Sequence, residues 1–545
     1  MRTLKALSFA LLAASVLALA SCGGGDSSGP ALRGPSAFVP PGTPIYLEAT
    51  LRPEGDQKTN AKALLSELGD VPLLGSQVSP EDLADQAVKQ FDAAVGADVD
   101  YAADVEPWLG AKAGLAITGF PSASVGAPAT TVPPTYVLAV ETTDDETARD
   151  SLAKIVEGDG STQKEYDGVS YYESANGLYD TGVFDGMLVF ANGGNFENAV
   201  DAEHGGDSLG ASDDFQGAFA PLGEDGLGSA YVDFGSVADL AGDAGTADAA
   251  GIEEARGIAP ELFDAPLGAK LIAGDGSIAL DLSLPQPSED RLDLSSTNNL
   301  GDAPSDSYGA VGLAGTGGLF ETLVARFEKT GEEVDDPTLR SGAIDDALQR
   351  QFGISADEVA GAFGDGIAYA TGDLGSSGGA QIDVSDDSAT GVPAKLLDGL
   401  KKAYGSNPDA TIGPPNDPSA TAGFSSELDG SATDFEVGSG KVTAAVADDP
   451  SELVAPGEAR LGDEDGFTAA VAALGDDYPA VAYANLGPIL DSIVGSFSLS
   501  GAVLGSTPPD QVIVQFIASK LNSAAAGTRT EGDRLVLRSV VVLGN

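Results

Sequence analysis

The strongest constraint on the fold of this chain is that much of its body is written twice. Residues 209–240 lie over 461–492 without a gap at a constant shift of 252. Identical pairs include Leu209/Leu461, Gly210/Gly462, Asp213/Asp465, Phe215/Phe467, Leu222/Leu474, Gly223/Gly475, Tyr231/Tyr483 and Asp239/Asp491. Upstream the shift becomes 254, and Val105/Val359, Gly110/Gly364, Val183/Val437, Gly186/Gly440, Ala191/Ala445 and Val200/Val454 match in the same order. Order kept over more than a hundred residues is a property of a duplicated unit, not of a compositional bias toward Ala, Gly and Asp. The first copy is expected over 44–286 and the second over 305–545. The polar stretch 287–304, with Pro287-Ser288-Glu289-Asp290 and Ser295-Ser296-Thr297-Asn298-Asn299, reads as the linker between them.

Strand and helix signals alternate within each copy. Ile45 to Leu51 is β-rich and stops at Pro53-Glu54-Gly55; Gln57 to Leu68 follows with helical spacing. Lys112 to Phe120, Thr135 to Val140, Val169 to Glu173, Gly186 to Ala191 and Ala230 to Phe234 read as strands. Thr143-Asp144-Asp145-Glu146 supplies a cap and first-turn acids for a helix whose apolar face is Ala148, Leu152 and Ile155. Asp214 to Leu222 reads as a short amphipathic helix, and another helix is expected from Ser236. The strands are short and abut turn residues, which favours antiparallel or mixed sheets. The expected fold class is α+β: two tandem pseudo-symmetric domains of mixed or antiparallel sheets with packed helices.

The first residues address the chain. Arg2 and Lys5 precede an apolar run from Ala6 to Ala20, too short to span a bilayer but suited to a secretory signal over 1–21. It ends in Leu19-Ala20-Ser21-Cys22, followed by three glycines, which resembles the bacterial lipobox. By that resemblance Cys22 takes a diacylglyceryl thioether and becomes the mature N-terminus. The chain is then anchored to the membrane rather than spanning it, outside the cytoplasm. Residues 22–43, rich in Gly, Ser and Pro, read as a flexible tether. With 84 Asp and Glu against 27 Lys and Arg, the net charge is −57. Anionic headgroups repel such a body within about 8 Å, the Debye length, which disfavours a protein lying flat on the membrane.

The same charge argues against a nucleic-acid partner, which needs a basic face. One Cys cannot build a disulfide framework, and one His cannot supply a multi-His zinc or iron centre. No cofactor, metal ligand or catalytic residue is assigned from the sequence.

Several motifs imitate catalytic ones. Gly206-Asp207-Ser208-Leu209 spells an esterase tetrad and, with Gly210, fits G-x-S-x-G. That chemistry needs the Ser on a strand-to-helix turn beside a His, whereas the sole His204 lies four residues upstream and no strand leads in. Ser151-x-x-Lys154, Ser296-x-Asn298 and Lys329-Thr330-Gly331 follow the order of penicillin-binding enzymes, but Ser151 falls inside a helix, Ser296 in the linker and Lys329 at the end of a helical run. Gly315-Thr316-Gly317-Gly318 after a strand has Phe320 where the dinucleotide fingerprint wants its third Gly, and reads as a tight turn. Asp463-Glu464-Asp465-Gly466 lacks the ligand spacing of a calcium loop and reads as solvated acidic surface. His204 reads as an exposed loop residue and Trp108, after Pro107, as core.

Lipobox and tether, then Pro44-Ile45-Tyr46-Leu47-Glu48, Arg52-Pro53-Glu54-Gly55 and Trp108-Leu109-Gly110, are together similar to the uncharacterised lipoproteins of high-GC Gram-positive bacteria grouped as domain of unknown function 3352. The resemblance implies location and architecture over nearly the whole mature chain, and no activity. The resulting expectation is a lipid-anchored extracytoplasmic protein, a non-enzymatic binding or scaffolding body, with a small-molecule or lipid ligand between its domains. A transporter-associated substrate-binding lipoprotein and an Asp/Glu-based envelope hydrolase are the alternatives. The hydrolase would need two buried carboxyl groups facing each other in a pocket.

Overall fold

The computed structural model describes residues 34–69, 101–120, 134–156, 160–223, 226–243, 251–252, 256, 260–286, 300–333, 340–372, 377–428, 431–447, 459–490 and 520–544. The chain divides into two compact units: Met1–Gln286 with Glu531–Val536, and Pro287–Thr530 with Leu537–Asn545. The fold class is α+β, and the two units repeat one topology.

In the first unit the strands are β1 (Ile45–Thr50), β2 (Leu109–Gly119), β3 (Thr135–Thr142), β4 (Thr162–Tyr166), β5 (Val169–Glu173), β6 (Asp180–Phe184), β7 (Met187–Ala191), β8 (Gly228–Val232), β9 (Leu267–Gly274) and β10 (Ser277–Pro285). All neighbours pair antiparallel, in the order β4-β5-β6-β7-β3-β2-β1-β8-β9-β10. The second unit has β11 (Ser307–Leu313), β12 (Phe363–Thr371), β13 (Ser377–Val384), β14 (Thr411–Gly413), β15 (Ala422–Leu428), β16 (Ser431–Gly438), β17 (Lys441–Ala447), β18 (Ala480–Asn485) and most of β19 (Leu521–Glu531) and β20 (Arg534–Leu543), whose connecting end, Glu531–Val536, groups with the first unit. Its order, β14-β15-β16-β17-β13-β12-β11-β18-β19-β20, is the first order over again.

The longer helices of the first unit are α1 (Gly55–Gly69), α2 (Asp145–Val156), α3 (Asn195–Gly205), α4 (Asp213–Phe219) and α5 (Phe234–Asp243), with one further turn of helix at Glu261–Asp264. Those of the second are α6 (Thr316–Glu333), α7 (Ala343–Phe352), α8 (Ala356–Ala362), α9 (Val392–Gly405) and α10 (Asp465–Leu474). No helix among the described residues is long and apolar enough to cross a membrane.

The apolar run Met187–Ala191 shows how the first sheet is buried on both faces. Met187, Val189 and Ala191 join one core cluster with Phe196, Ala199 and Val200 of α3 and Ala218 of α4. Leu188, pointing the other way, joins Trp108, Leu109, Ala148, Leu152 and Val156 under α2. Helix α2 starts where the sequence placed it: the Asp144 carboxylate accepts from the backbone N–H of Glu146 and Thr147 at 3.0 and 3.1 Å, which holds Asp144 below the usual carboxylate range.

Two expected elements end early. The strand through Ala230 stops at Val232, because Asp233 caps α5 by accepting from Ser236 N–H at 3.0 Å; Phe234 therefore opens a helix. The helix expected to reach Leu222 stops at Phe219 and tightens into a 3₁₀ turn over Ala220–Leu222, where Pro221 has no N–H to continue the ladder.

Three hairpins turn on residues with positive φ: Asp167-Gly168 (45° and 81°), Asp185-Gly186 (47° and 83°) and Ser439-Gly440 (56° and 75°). This is the two-residue turn that matches strand twist, and it requires φ > 0 at both positions. The second and third close β6–β7 and β16–β17, the same place in the two units.

Candidate functional site

The lipobox residues Leu19, Ala20, Ser21 and Cys22 lie outside the described residues, as do Ser296 and Asn298. The remaining motif residues are placed as structural parts. Ser151 is buried inside α2, and Lys154 on the same helix pairs with Asp104 at 2.7 Å. Ser208 is buried in extended backbone ahead of a 3₁₀ turn, not on a strand-to-helix elbow. Residues 329–331 lie within α6 rather than on a strand. Gly315 has φ +55° and makes the tight turn between β11 and α6. Gly317 has a second duty, since a Cβ there would collide with the Ala360 carbonyl of α8. Asp463 ends a 3₁₀ turn and Asp465 opens α10. Trp108 is buried, and its indole Nε1 donates to Asp104 O.

His204 is exposed, but it stands in the last turn of α3, not in a loop. Its Nδ1 lies 2.8 Å from Asp167 Oδ2 and its Nε2 3.4 Å from Asp185 Oδ2. Its ring meets Phe184 edge-on at 6.4 Å. The hydrogen bond to Asp167 raises the imidazole above its usual range, against a smaller desolvation effect, and Asp185 adds to the rise. Both aspartates sit at the first position of the hairpin turns described above, so strand pairing delivers them to one helix end. The sequence does contain a signal, two Asp-Gly dipeptides, but by themselves these indicate turns and not a cluster.

A carboxyl pair occupies the second unit. Asp434 and Glu436 share one face of β16, are both buried, and are hydrogen-bonded to each other. The backbone N–H of Asn416 reaches both Asp434 oxygens at 3.3 Å, and that of Asp417 reaches Glu436 Oε2 at 3.3 Å. Burial pushes Glu436 up to about 7, with the neighbouring Asp434 and Asp417 charges adding to it. Burial also raises Asp434, while the hydrogen bond from Glu436 works the other way. Glu436 is therefore the proton holder. At the shift of 254 the first unit has Asp180, which burial and Glu173, its register partner, raise as well. Glu436 has Gly182 as its counterpart, so the pair belongs to the second unit alone.

This pair has a pH signature. The folded state keeps the Glu436 proton up to about pH 7, whereas the unfolded chain releases it near 4.5, the ordinary value for a glutamate. Stability should fall as pH rises across that window and stay lower above it. Glu436→Gln keeps a donor for Asp434 and an acceptor for Asp417 N–H but cannot ionise. It should stabilise the second unit by about 1–2 kcal/mol at pH 8 and change little at pH 5. Chemical denaturation at the two pH values checks this, and an equal effect at both would contradict it.

The second unit also carries an open concavity of about 430 Å³, lined by Tyr308, Tyr369, Ser377, Gly379, Ala444 and Val446 among others. Small side chains make it. Strand register places Gly378 beside Val446 and Ala380 beside Ala444, and Tyr369 opposite Gly379. A Cβ on Gly379 would stand 2.7 Å from the Tyr369 hydroxyl, so the tyrosine ring occupies the space the glycine leaves. Val446 keeps 44% of its surface exposed on this face.

Two solved structures described as crystal forms III and I of TP0453 align with 47% and 48% of this chain and 81% and 82% of their own. The identities are 11% and 12% and the TM-score is 0.25 in both cases, too weak a likeness to carry an argument. No curated protein matches the sequence. Residues 76–268 match the family described as "Protein of unknown function (DUF3352)".

Proposed function

We propose that the protein is a lipid-anchored, extracytoplasmic binding body, an envelope lipoprotein of the high-GC Gram-positive type. Cys22 carries the lipid and the residues between it and Gly34 form the tether, shorter than the 22–43 expected because Phe38 and Val39 are fully buried in the first unit's core; the second unit takes an apolar small molecule or lipid chain. The observation that carries the binding reading is the concavity of about 430 Å³ between Tyr308, Tyr369 and the small residues of β13 and β17. Its size is that of a small-ligand site, and its lining is apolar with a few hydroxyls at hand. The buried state of Asp434 and Glu436 favours binding over carboxylate-based hydrolysis. An acid pair that cuts a substrate must meet it, whereas these two face the backbone of Asn416 and Asp417.

The test uses native mass spectrometry of the gently purified protein, together with titration of an environment-sensitive apolar fluorophore. A co-purified mass, or saturable fluorophore binding weakened at least tenfold by Val446→Arg, is expected. Val446 is already part-exposed, so the variant should fold. Binding unchanged by that substitution, with no co-purified mass, would overturn the reading.

A further inference from the structure

The chain's sole histidine stands among three carboxylates. One ligand atom from each of Asp185, Glu203 and His204 lies within 4.8 Å of the others. The separation of His204 Nε2 from Asp185 Oδ2, 3.4 Å, is that of two ligands sharing a tetrahedral ion, about 3.4 Å for bonds of about 2.1 Å. Asp167 holds the opposite ring nitrogen at 2.8 Å. A carboxylate on Nδ1–H fixes the tautomer that leaves the Nε2 lone pair outward, an arrangement common behind metal-bound imidazoles. The site also lies at the C-terminal end of α3, where the helix dipole favours a cation.

We propose that Asp185, Glu203 and His204 bind a divalent transition-metal ion, with zinc as the best fit and Asp167 as the positioning residue. An imidazole with two carboxylates suits zinc and its neighbours, whereas calcium and magnesium take oxygen ligands. Three protein ligands leave room for water. The site lies in the first unit and does not depend on the ligand reading of the second. It also differs from the multi-His centre that the composition excludes, since one imidazole suffices. The hairpin turns at Asp167-Gly168 and Asp185-Gly186 bring in residues 37 and 19 positions before the histidine, so the site exists only in the folded unit.

Isothermal titration of the chelator-treated protein with zinc chloride tests this, in a Cys22→Ser background that removes the competing thiol. The single imidazole is followed in parallel by ¹³C-histidine NMR. Expected are one saturable zinc event that shifts the imidazole signals, a loss of at least tenfold in affinity for His204→Gln, and a loss of about tenfold for Asp167→Asn. Calcium should compete weakly. Zinc binding that leaves the imidazole signals unmoved, or that survives His204→Gln unchanged, would overturn the proposal. So would calcium binding as tight as zinc, which would mark a diffuse acidic surface.

Discussion

Phe196→Ala should cost the first unit about 4 kcal/mol, the range for emptying a buried aromatic site. Phe196 is fully buried and stacks on Tyr171 at 4.6 Å, with Phe184 edge-on at 5.7 Å. It also closes over Gly182, where a Cβ would stand 2.8 Å from its Cζ. It thus joins α3 to β5 and β6 from the middle of the larger cluster, where neighbouring strands cannot collapse into the void. The chain has two compact units, so a single two-state unfolding energy is not expected. Scanning calorimetry should instead show one transition lowered by roughly 10 °C and a second unmoved. A loss below about 1 kcal/mol, or an equal shift of all unfolding, would contradict the packing described here.

The same residues show why the duplicated α+β fold was readable from the sequence and the chemistry was not. Strands with apolar alternation or runs, such as Ile45–Thr50 and Val169–Glu173, announce themselves, as does the Asp144 cap. β4, Thr-Gln-Lys-Glu-Tyr, is almost wholly exposed and carries no pattern to find. In β16 the pattern misleads. Phe435 and Val437 alternate with Asp434 and Glu436, which reads as one wet face. The structure covers both faces: Tyr404 of α9 packs on Phe424 and Phe435, and the Asn416–Asp417 backbone covers the acids. His204 needed three separate segments to meet, which no local window contains. Gly317 was visible as part of a glycine-rich turn, but its reason, the Ala360 carbonyl of a helix forty residues on, belongs to the tertiary structure.

The second large effect concerns Cys22. A thioether-linked diacylglycerol requires sulfur, and Cys22 is the only cysteine in the chain. Each buried methylene contributes about 0.8 kcal/mol, so two acyl chains hold a protein to a bilayer far more firmly than a single one. The body has no comparable means of attachment in its charge: at −57 it is repelled by anionic lipid. Cys22→Ser should therefore move the protein from almost fully membrane-bound to almost fully soluble, with the fold unchanged.

Detergent phase partition of cells expressing the full chain, with labelled fatty acid supplied, tests the central claim most directly. Expected are a labelled protein in the detergent phase and an unlabelled Cys22→Ser variant in the aqueous phase. A wild-type chain without label, or a serine variant that stays in the detergent phase, would contradict it.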